Sequence, residues 1–251
     1  MRTKTQTQGL IIREQAIGES DRLVTVLTRD QGVVRAFARR AKNYKDSKNS
    51  GTSLLCYSRL ELYEGRDKYI INAAYPIEVF FELRRDIVRL ALGQYFCELA
   101  AELVPAGVES EEYLRLVLNA LHFLCADARP EALLKPIVEL RMLSISGYMP
   151  DLVGCAGCGR YEAERMFFRI NRGEIYCQDC YLNKGSPAAG LSPGALTGMR
   201  HIIYSDFEKV FSFRLTGAPL RELCEAAEAY AVSVLQKRLG TLDFYRSLGA
   251  G

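Results

Sequence analysis

The chain has 251 residues, of which 49% are hydrophobic and 25% are charged, so it is long enough for one large or two modest domains with buried cores. This composition excludes an intrinsically disordered chain. The N-terminus has no apolar signal core, and no run of about 18 uncharged apolar residues is present, so the sequence indicates a cytoplasmic protein of a reducing compartment without a membrane anchor.

The formal net charge of +3 is unevenly distributed along the chain. Residues 1–80 contain 14 Lys and Arg against 9 Asp and Glu, whereas the remainder contains 19 against 21. Within the first part, the run from Arg35 to Lys48 contains six basic residues and one acid, Asp46. Such a run is either a solvated loop or a surface for a polyanion.

Residues 1–80 contain five short runs typical of β-strands. The first three cover residues 9–13, 22–28 and 32–38, with a tight turn between the second and third. The other two cover residues 54–63 and 68–74. Five short strands in about 70 residues, with the longest connection between the third and the fourth, are typical of an OB-fold barrel.

The long connection after the third strand carries the basic run. OB-fold barrels bind single nucleic-acid strands through a cationic groove and aromatic faces for the bases. Phe37 and Tyr57 are further stacking candidates, although each is at least as compatible with the barrel core. The predicted DNA-binding residues are Arg35, Arg39, Arg40, Lys42, Tyr44, Lys45 and Lys48.

From Pro76 onward the apolar residues recur at intervals of three and four, which indicates helices. Residues 132–146 are predicted to form a central buried helix, and further helices are predicted at 192–203 and from Pro219 to about residue 234. No glycine-rich phosphate loop, nucleophile elbow or zincin motif occurs, so we predict no catalytic residues and a protein that is not an enzyme.

Four cysteines form two close pairs, Cys155-Ala-Gly-Cys158 and Cys177-Gln-Asp-Cys180, with 18 residues between them. This spacing is typical of one structural Zn²⁺ held by four thiolates, with a hairpin between the pairs. Two disulfides or a thioredoxin-type redox pair are weaker alternatives. The predicted fold is therefore α+β and multi-domain: an OB-fold domain at residues 1–78 and an α-helical domain at 79–251, with a zinc finger inserted at about 152–182.

Several segments together resemble the RecO family of recombination mediators. They are Gly18–Thr28, Phe81–Asp86, and Leu140–Leu152 running directly into Cys155-x-x-Cys158-Gly159. The family's Lys-Gly-Ala-Arg after the third strand is replaced here by Ala38-Arg39-Arg40-Ala41-Lys42, so only the basic character of that loop is carried over.

The resemblance implies an N-terminal OB-fold packed on a helical domain that carries a zinc finger. It implies a nucleoid-associated DNA-repair protein that binds single- and double-stranded DNA and anneals complementary strands. It also implies binding to RecR and to the C-terminal tail of single-stranded-DNA-binding protein, so that RecA is loaded. Candidate residues at the rim of a pocket for that tail are Lys135, Arg141 and Arg221.

Two other classes of function stay open. A zinc-dependent nucleic-acid enzyme such as a nuclease would need a metal with an open coordination position. The other class is a structural adaptor that binds only proteins, in which the basic loop would have no role in DNA binding.

Overall fold

The computed structural model describes residues 4–42, 48–65, 68–181 and 187–249. They form two compact units: residues up to 128 together with Thr241–Leu248 form the first, and residues 129–240 make up nearly all of the second. The domain boundary predicted between residues 78 and 79 stays a prediction. In the described part of the chain, no helix is long and apolar enough to cross a membrane.

The first unit contains a closed five-stranded barrel. Its strands pair in the order β1–β2–β3–β5–β4, and β4 returns to β1. The β3–β5 pair is parallel and the other pairs are antiparallel. This topology confirms the predicted OB-fold. The strands are β1 (Lys4–Ile17), β2 (Asp21–Thr28), β3 (Val33–Ala38), β4 (Cys56–Glu64) and β5 (Tyr69–Val79).

The barrel core follows from the period-two alternation of the strands. Along β4, Ser58 and Leu60 are buried, whereas Arg59 between them is exposed. Small aliphatic residues fill most of the inside, as a barrel this narrow requires. The core residues are Ile11, Val24, Val26, Val34, Ala36, Ala38, Ala41, Cys56, Leu60, Leu62, Ile71 and Ala74.

The last strand is longer than predicted. The helical pattern assigned from Pro76 was wrong, because β5 continues to Val79 and is followed by a 3₁₀ turn at Phe81–Arg85. Pro76 lies opposite Ser58, next to a shift in register where the strand tolerates a missing N–H. The first long helix begins at Ile87, and the Asp86 carboxylate caps it by accepting from two backbone N–H groups.

Eight α-helices occur among the described residues. They are α1 (Lys48–Gly51), α2 (Ile87–Leu103), α3 (Glu111–Cys125), α4 (Glu131–Ile145), α5 (Gln178–Tyr181), α6 (Pro193–Tyr204), α7 (Gly217–Leu235) and α8 (Gly240–Ser247).

The loop between α2 and α3 packs on the hairpin that joins β2 to β3. Gly32 in this hairpin has a φ of 64° and forms an isolated bridge with Ala106. A Cβ atom at Gly32 would lie 1.8 Å from the Pro105 carbonyl oxygen, so no side chain fits there. Ser110 directly precedes α3, but its hydroxyl donates to the Thr28 carbonyl at 2.6 Å instead of capping the helix.

The second unit combines α4, α6 and α7 with a small antiparallel sheet. The sheet has the order β7–β6–β8, formed by β6 (Met166–Arg169), β7 (Glu174–Cys177) and β8 (Ala188–Leu191). The β6–β7 hairpin confirms the predicted connection between the cysteine pairs. The Ser192 hydroxyl caps α6 by accepting from the Ala195 N–H at 3.4 Å. Neither β8 nor α8 was predicted.

Candidate metal centre and nucleic-acid interface

The four paired cysteines lie together at one end of the small sheet. Their sulfur atoms are all within 4.8 Å of one another. Cys158 Sγ and Cys177 Sγ are 3.7 Å apart. A tetrahedral ion with Zn–S bonds of about 2.3 Å needs sulfur–sulfur separations of about 3.8 Å, so the arrangement fits one metal ion.

The backbone around the first pair is shaped by glycine. Gly159 has a φ of 75°, and its N–H donates to the Cys155 carbonyl at 2.7 Å, which closes the turn. A Cβ atom at Gly157 would lie 2.9 Å from Cys180 Sγ, so glycine lets the two pairs approach. The second pair spans an element boundary, because Cys177 ends β7 and Cys180 lies in α5.

Backbone N–H groups support thiolate character in the cluster. The N–H groups of Gly157 and Cys177 donate to Cys155 Sγ at 3.4 and 3.3 Å. Burial raises the pKa of the Cys155 thiol, but these donors and the Cys158 N–H outweigh it and lower the pKa to about 6. The Cys180 thiol donates to the sulfurs of Cys177, Cys158 and Cys155, and these hydrogen bonds hold its proton and raise its pKa to about 12. A divalent cation would replace the shared protons and let all four thiols ionise.

Arg200 on α6 holds both chain ends of the first cysteine pair. Its Nε donates to the Leu152 carbonyl at 2.8 Å, and its Nη2 donates to the carbonyls of Val153 and Tyr161 at 3.2 and 2.7 Å. The guanidinium also lies 3.9 Å from the centre of the Tyr161 ring. The second unit therefore positions the ligand loop through a buried arginine that sequence analysis did not single out.

Four thiols complete a tetrahedral ligand set, which leaves no open coordination position for a substrate. Asp179, the acid between the second pair, forms a salt bridge with Arg160 at 3.1 Å. The cluster is therefore suited to hold a metal for structural purposes, and its chemistry is compatible with zinc binding.

The basic run begins with Arg35 inside β3, and its residues after the strand turn back onto the β1–β2 turn. The Arg40 N–H donates to the Asp21 carboxylate at 2.8 Å, and Lys42 Nζ donates to the Gly18 carbonyl at 2.7 Å. Arg39 and Arg40 are exposed, and neither forms a salt bridge with a residue that the structure describes. The run therefore presents cations beside the barrel.

The other predicted DNA-binding residues are placed differently. Arg35 is exposed on the outer face of β3. Lys48 begins α1 and is half-buried. Tyr44 and Lys45 lie outside the described residues.

The two aromatic candidates both point away from the barrel core. Phe37 is half-buried on β3 between the fully buried Ala36 and Ala38, so its ring belongs to the outer face. Tyr57 is half-buried on β4, and its hydroxyl donates to the Gln8 side chain at 2.6 Å. Of the two alternatives left open for these rings, the barrel core is excluded, because the strand register turns both outward.

Two exposed cations of the barrel were missed by sequence analysis. Arg13 lies on the outer face of β1, and Lys68 lies at the β4–β5 turn. Arg13 carried no alternation signal, because it follows the buried run Leu10–Ile12 at a shift in the register of β1. Lys68 carried no such signal, because it lies in a turn.

The three basic residues considered for a pocket rim have different environments. Lys135 is 5% exposed and forms salt bridges with Glu139 at 2.8 Å and Glu228 at 2.7 Å, so its assignment to an exposed rim was wrong. Arg141 donates to the last carbonyls of α6, including that of Ile203 at 3.0 Å. Arg221 is exposed on α7.

Comparison with known proteins covers nearly the whole chain. The family description "Recombination protein O N terminal" matches residues 1–80, and "Recombination protein O C terminal" matches residues 84–243. A protein of Acetivibrio thermocellus named "DNA repair protein RecO" is 30% identical over 243 residues, covering 97% of this chain and 96% of that protein.

A protein of Symbiobacterium thermophilum with the same name is 32% identical over 244 residues, covering 96% of each chain. The similarity therefore extends through both units. The chain belongs to the RecO family of DNA repair proteins.

Proposed function

We propose that this protein is a DNA-binding recombination mediator that anneals complementary strands without using a nucleotide. The observation that carries the proposal is a set of exposed cations on an OB-fold barrel, Arg35 in β3 and Arg39 and Arg40 directly after it, which form no salt bridge within the described residues. Its family membership supports a role in DNA repair.

The proposed mechanism is neutralisation of phosphate charge. Two complementary strands repel each other through their phosphates, and a cationic surface that displaces counterions reduces this repulsion. Contacts to phosphates leave the base edges free to pair. The mechanism needs no general base and no nucleophile.

We further propose that the four-cysteine cluster binds one Zn²⁺ per chain. Cys155, Cys158, Cys177 and Cys180 would be its ligands. The ion would tie the two ends of the β6–β7 hairpin together and has no part in a chemical step.

The proposed partners are single- and double-stranded DNA, RecR, and the tail of single-stranded-DNA-binding protein, so that RecA is handed onto the coated strand. For the acidic tail, Arg221 is the remaining candidate of the three rim residues, since it is exposed on α7. Its side chain would meet the tail's carboxylates.

The test is a salt titration of DNA binding with the variant Arg39→Ala/Arg40→Ala. On single strands each lost phosphate contact flattens the log–log slope by about 0.7, so the double variant should lose about 1.4. Its affinity should fall alike for every sequence, because phosphates carry no sequence information. The charge-matched control is Arg172→Ala/Arg214→Ala, which removes two exposed arginines of the second unit.

Each alternative function has a distinct result in this experiment. An unchanged slope in the Arg39→Ala/Arg40→Ala variant would place the DNA surface elsewhere. Wild-type protein without measurable DNA affinity would favour a protein-only adaptor. Loss of labelled DNA that depends on a divalent metal would indicate a nuclease.

A further inference from the structure

We propose that the acidic residue Asp21 is a positioning residue for DNA binding, because its carboxylate holds the backbone that carries the exposed Arg39 and Arg40. The inference rests on the proposed DNA-binding function and assigns a part in it to a residue that does not touch DNA. By charge alone, a carboxylate beside a cationic surface weakens the attraction for phosphates. The contacts of Asp21 give it the opposite effect.

Arg40 has a backbone conformation that arginine seldom adopts. Its φ is 55°, in the left-handed region that glycine enters freely and that costs other L-residues free energy. Such a conformation persists only where neighbouring contacts hold it. The contact here is made at the strained residue itself, because the Arg40 N–H donates to Asp21 Oδ1 at 2.8 Å.

The residues after Arg40 are held to the same side of the barrel. The Lys42 N–H donates to the Ser20 carbonyl at 2.9 Å, one residue before Asp21. Ala41, between the two anchored residues, is completely buried. The chain therefore leaves β3 in one direction, which the left-handed turn at Arg40 makes possible.

The far end of the basic run is tied to this segment as well. Asn49 in α1 donates from its side-chain amide to the Ala41 carbonyl at 3.0 Å. Arg22, next to Asp21 in β2, donates to the Asn49 carbonyl at 2.6 Å and forms a salt bridge with Glu14 at 2.9 Å. Two neighbouring residues at the start of β2 thus hold the two ends of the basic run.

This anchoring favours binding because it fixes the backbone before DNA arrives. Arg39 and Arg40 then lose less conformational entropy when their guanidinium groups meet phosphates. Without the Asp21 carboxylate, Arg40 can relax into the right-handed or extended region, which changes the direction of the chain and separates the two arginines from their arrangement. Loss of this hydrogen bond should therefore weaken DNA binding even though it removes a negative charge.

The test compares Asp21→Ala with Asp21→Asn by titrating a fluorescent single-stranded oligonucleotide with the full-length protein. Both variants remove the negative charge, but only asparagine keeps an oxygen that can accept from the Arg40 N–H. Asp21→Ala should bind DNA two- to tenfold more weakly than Asp21→Asn, the equivalent of about 0.4–1.4 kcal/mol and typical of one hydrogen bond. Asp21→Asn should bind at least as tightly as the wild type.

Two further variants separate positioning from charge. Asn49→Ala leaves the charge unchanged and removes the tie to Ala41, so it should also weaken DNA binding. Arg40→Gly fits the left-handed conformation without strain but removes the cation. It should flatten the salt slope by about 0.7 without lowering the unfolding temperature.

The control is the pair Glu19→Ala and Glu19→Gln. Glu19 is an exposed carboxylate of the same β1–β2 turn and forms no hydrogen bond with the described residues, so these two variants should bind DNA equally well. Equal affinities of Asp21→Ala and Asp21→Asn, both at or above the wild-type affinity, would overturn the positioning role while leaving DNA binding intact. Wild-type protein that binds no DNA would overturn the proposed function itself.

Discussion

Arg200 is the side chain whose loss should do most harm to the metal centre without removing a ligand. It is 8% exposed, and its guanidinium satisfies three backbone carbonyls that flank the first cysteine pair. Arg200→Met keeps most of the side-chain volume and removes every one of these hydrogen bonds. Arg200→Lys keeps the charge, but an ammonium on a flexible chain cannot reproduce the planar set of hydrogen bonds that the guanidinium donates.

The expected magnitude follows from the hydrogen bonds. A hydrogen bond to a charged group contributes about 1.5–3 kcal/mol, and two of these three bonds are only partly buried, so about 1 kcal/mol each is a reasonable average. The total loss is about 3 kcal/mol. If this whole loss of free energy destabilises the metal-binding conformation of the ligand loop, metal affinity drops about 150-fold.

The assay is competition for Zn²⁺ with a coloured chelator, together with thermal unfolding of the metal-loaded protein. Arg172→Ala is the control, because Arg172 is exposed at the tip of the β6–β7 hairpin. Metal affinity and unfolding temperature unchanged in Arg200→Met would refute the argument that this arginine positions the ligand loop.

Two further predictions concern the cysteine cluster and the barrel hairpin. Cys177→Ser should reduce metal content from one ion per chain to well below one while leaving the DNA salt slope unchanged. The control variant Cys224→Ser, outside the cluster, should keep the metal. Elemental analysis that finds equal metal content in both variants would contradict the ligand assignment. Gly32→Ala should lower the unfolding temperature more than Gly107→Ala, because both have positive φ but only Gly32 lies against the Pro105 carbonyl. Equal shifts in unfolding temperature would contradict the importance of this contact.

The metal centre could be predicted from sequence because its geometry is local. Each Cys-x-x-Cys pair is held by its own turn, and a four-residue hairpin tip between β6 and β7 brings the pairs together. The barrel was predictable for a related reason, since β3 and β4 alternate between buried and more exposed residues and the first three strands pair in chain order.

The hydrogen bonds of Arg200 and the arrangement of cations on the outer face of the barrel could not be predicted, because they depend on contacts between distant segments. Arg13 and Arg35 lie on one face of the sheet only through the register of three strands. The loop after α2 reaches the β2–β3 hairpin only because Gly32 leaves room for the Pro105 backbone. Lys135 was misassigned because a lysine is usually exposed. Its burial depends on Glu228, a carboxylate from another helix.

The central claim is that this protein pairs strands by neutralising charge rather than by nucleotide-driven chemistry. The most direct measurement is the rate at which complementary strands coated with single-stranded-DNA-binding protein anneal when ATP and magnesium are omitted. We expect a clear acceleration that falls with rising salt and is reduced in Arg39→Ala/Arg40→Ala. An acceleration that requires ATP, or none at all under conditions in which the protein binds both strands, would contradict the account.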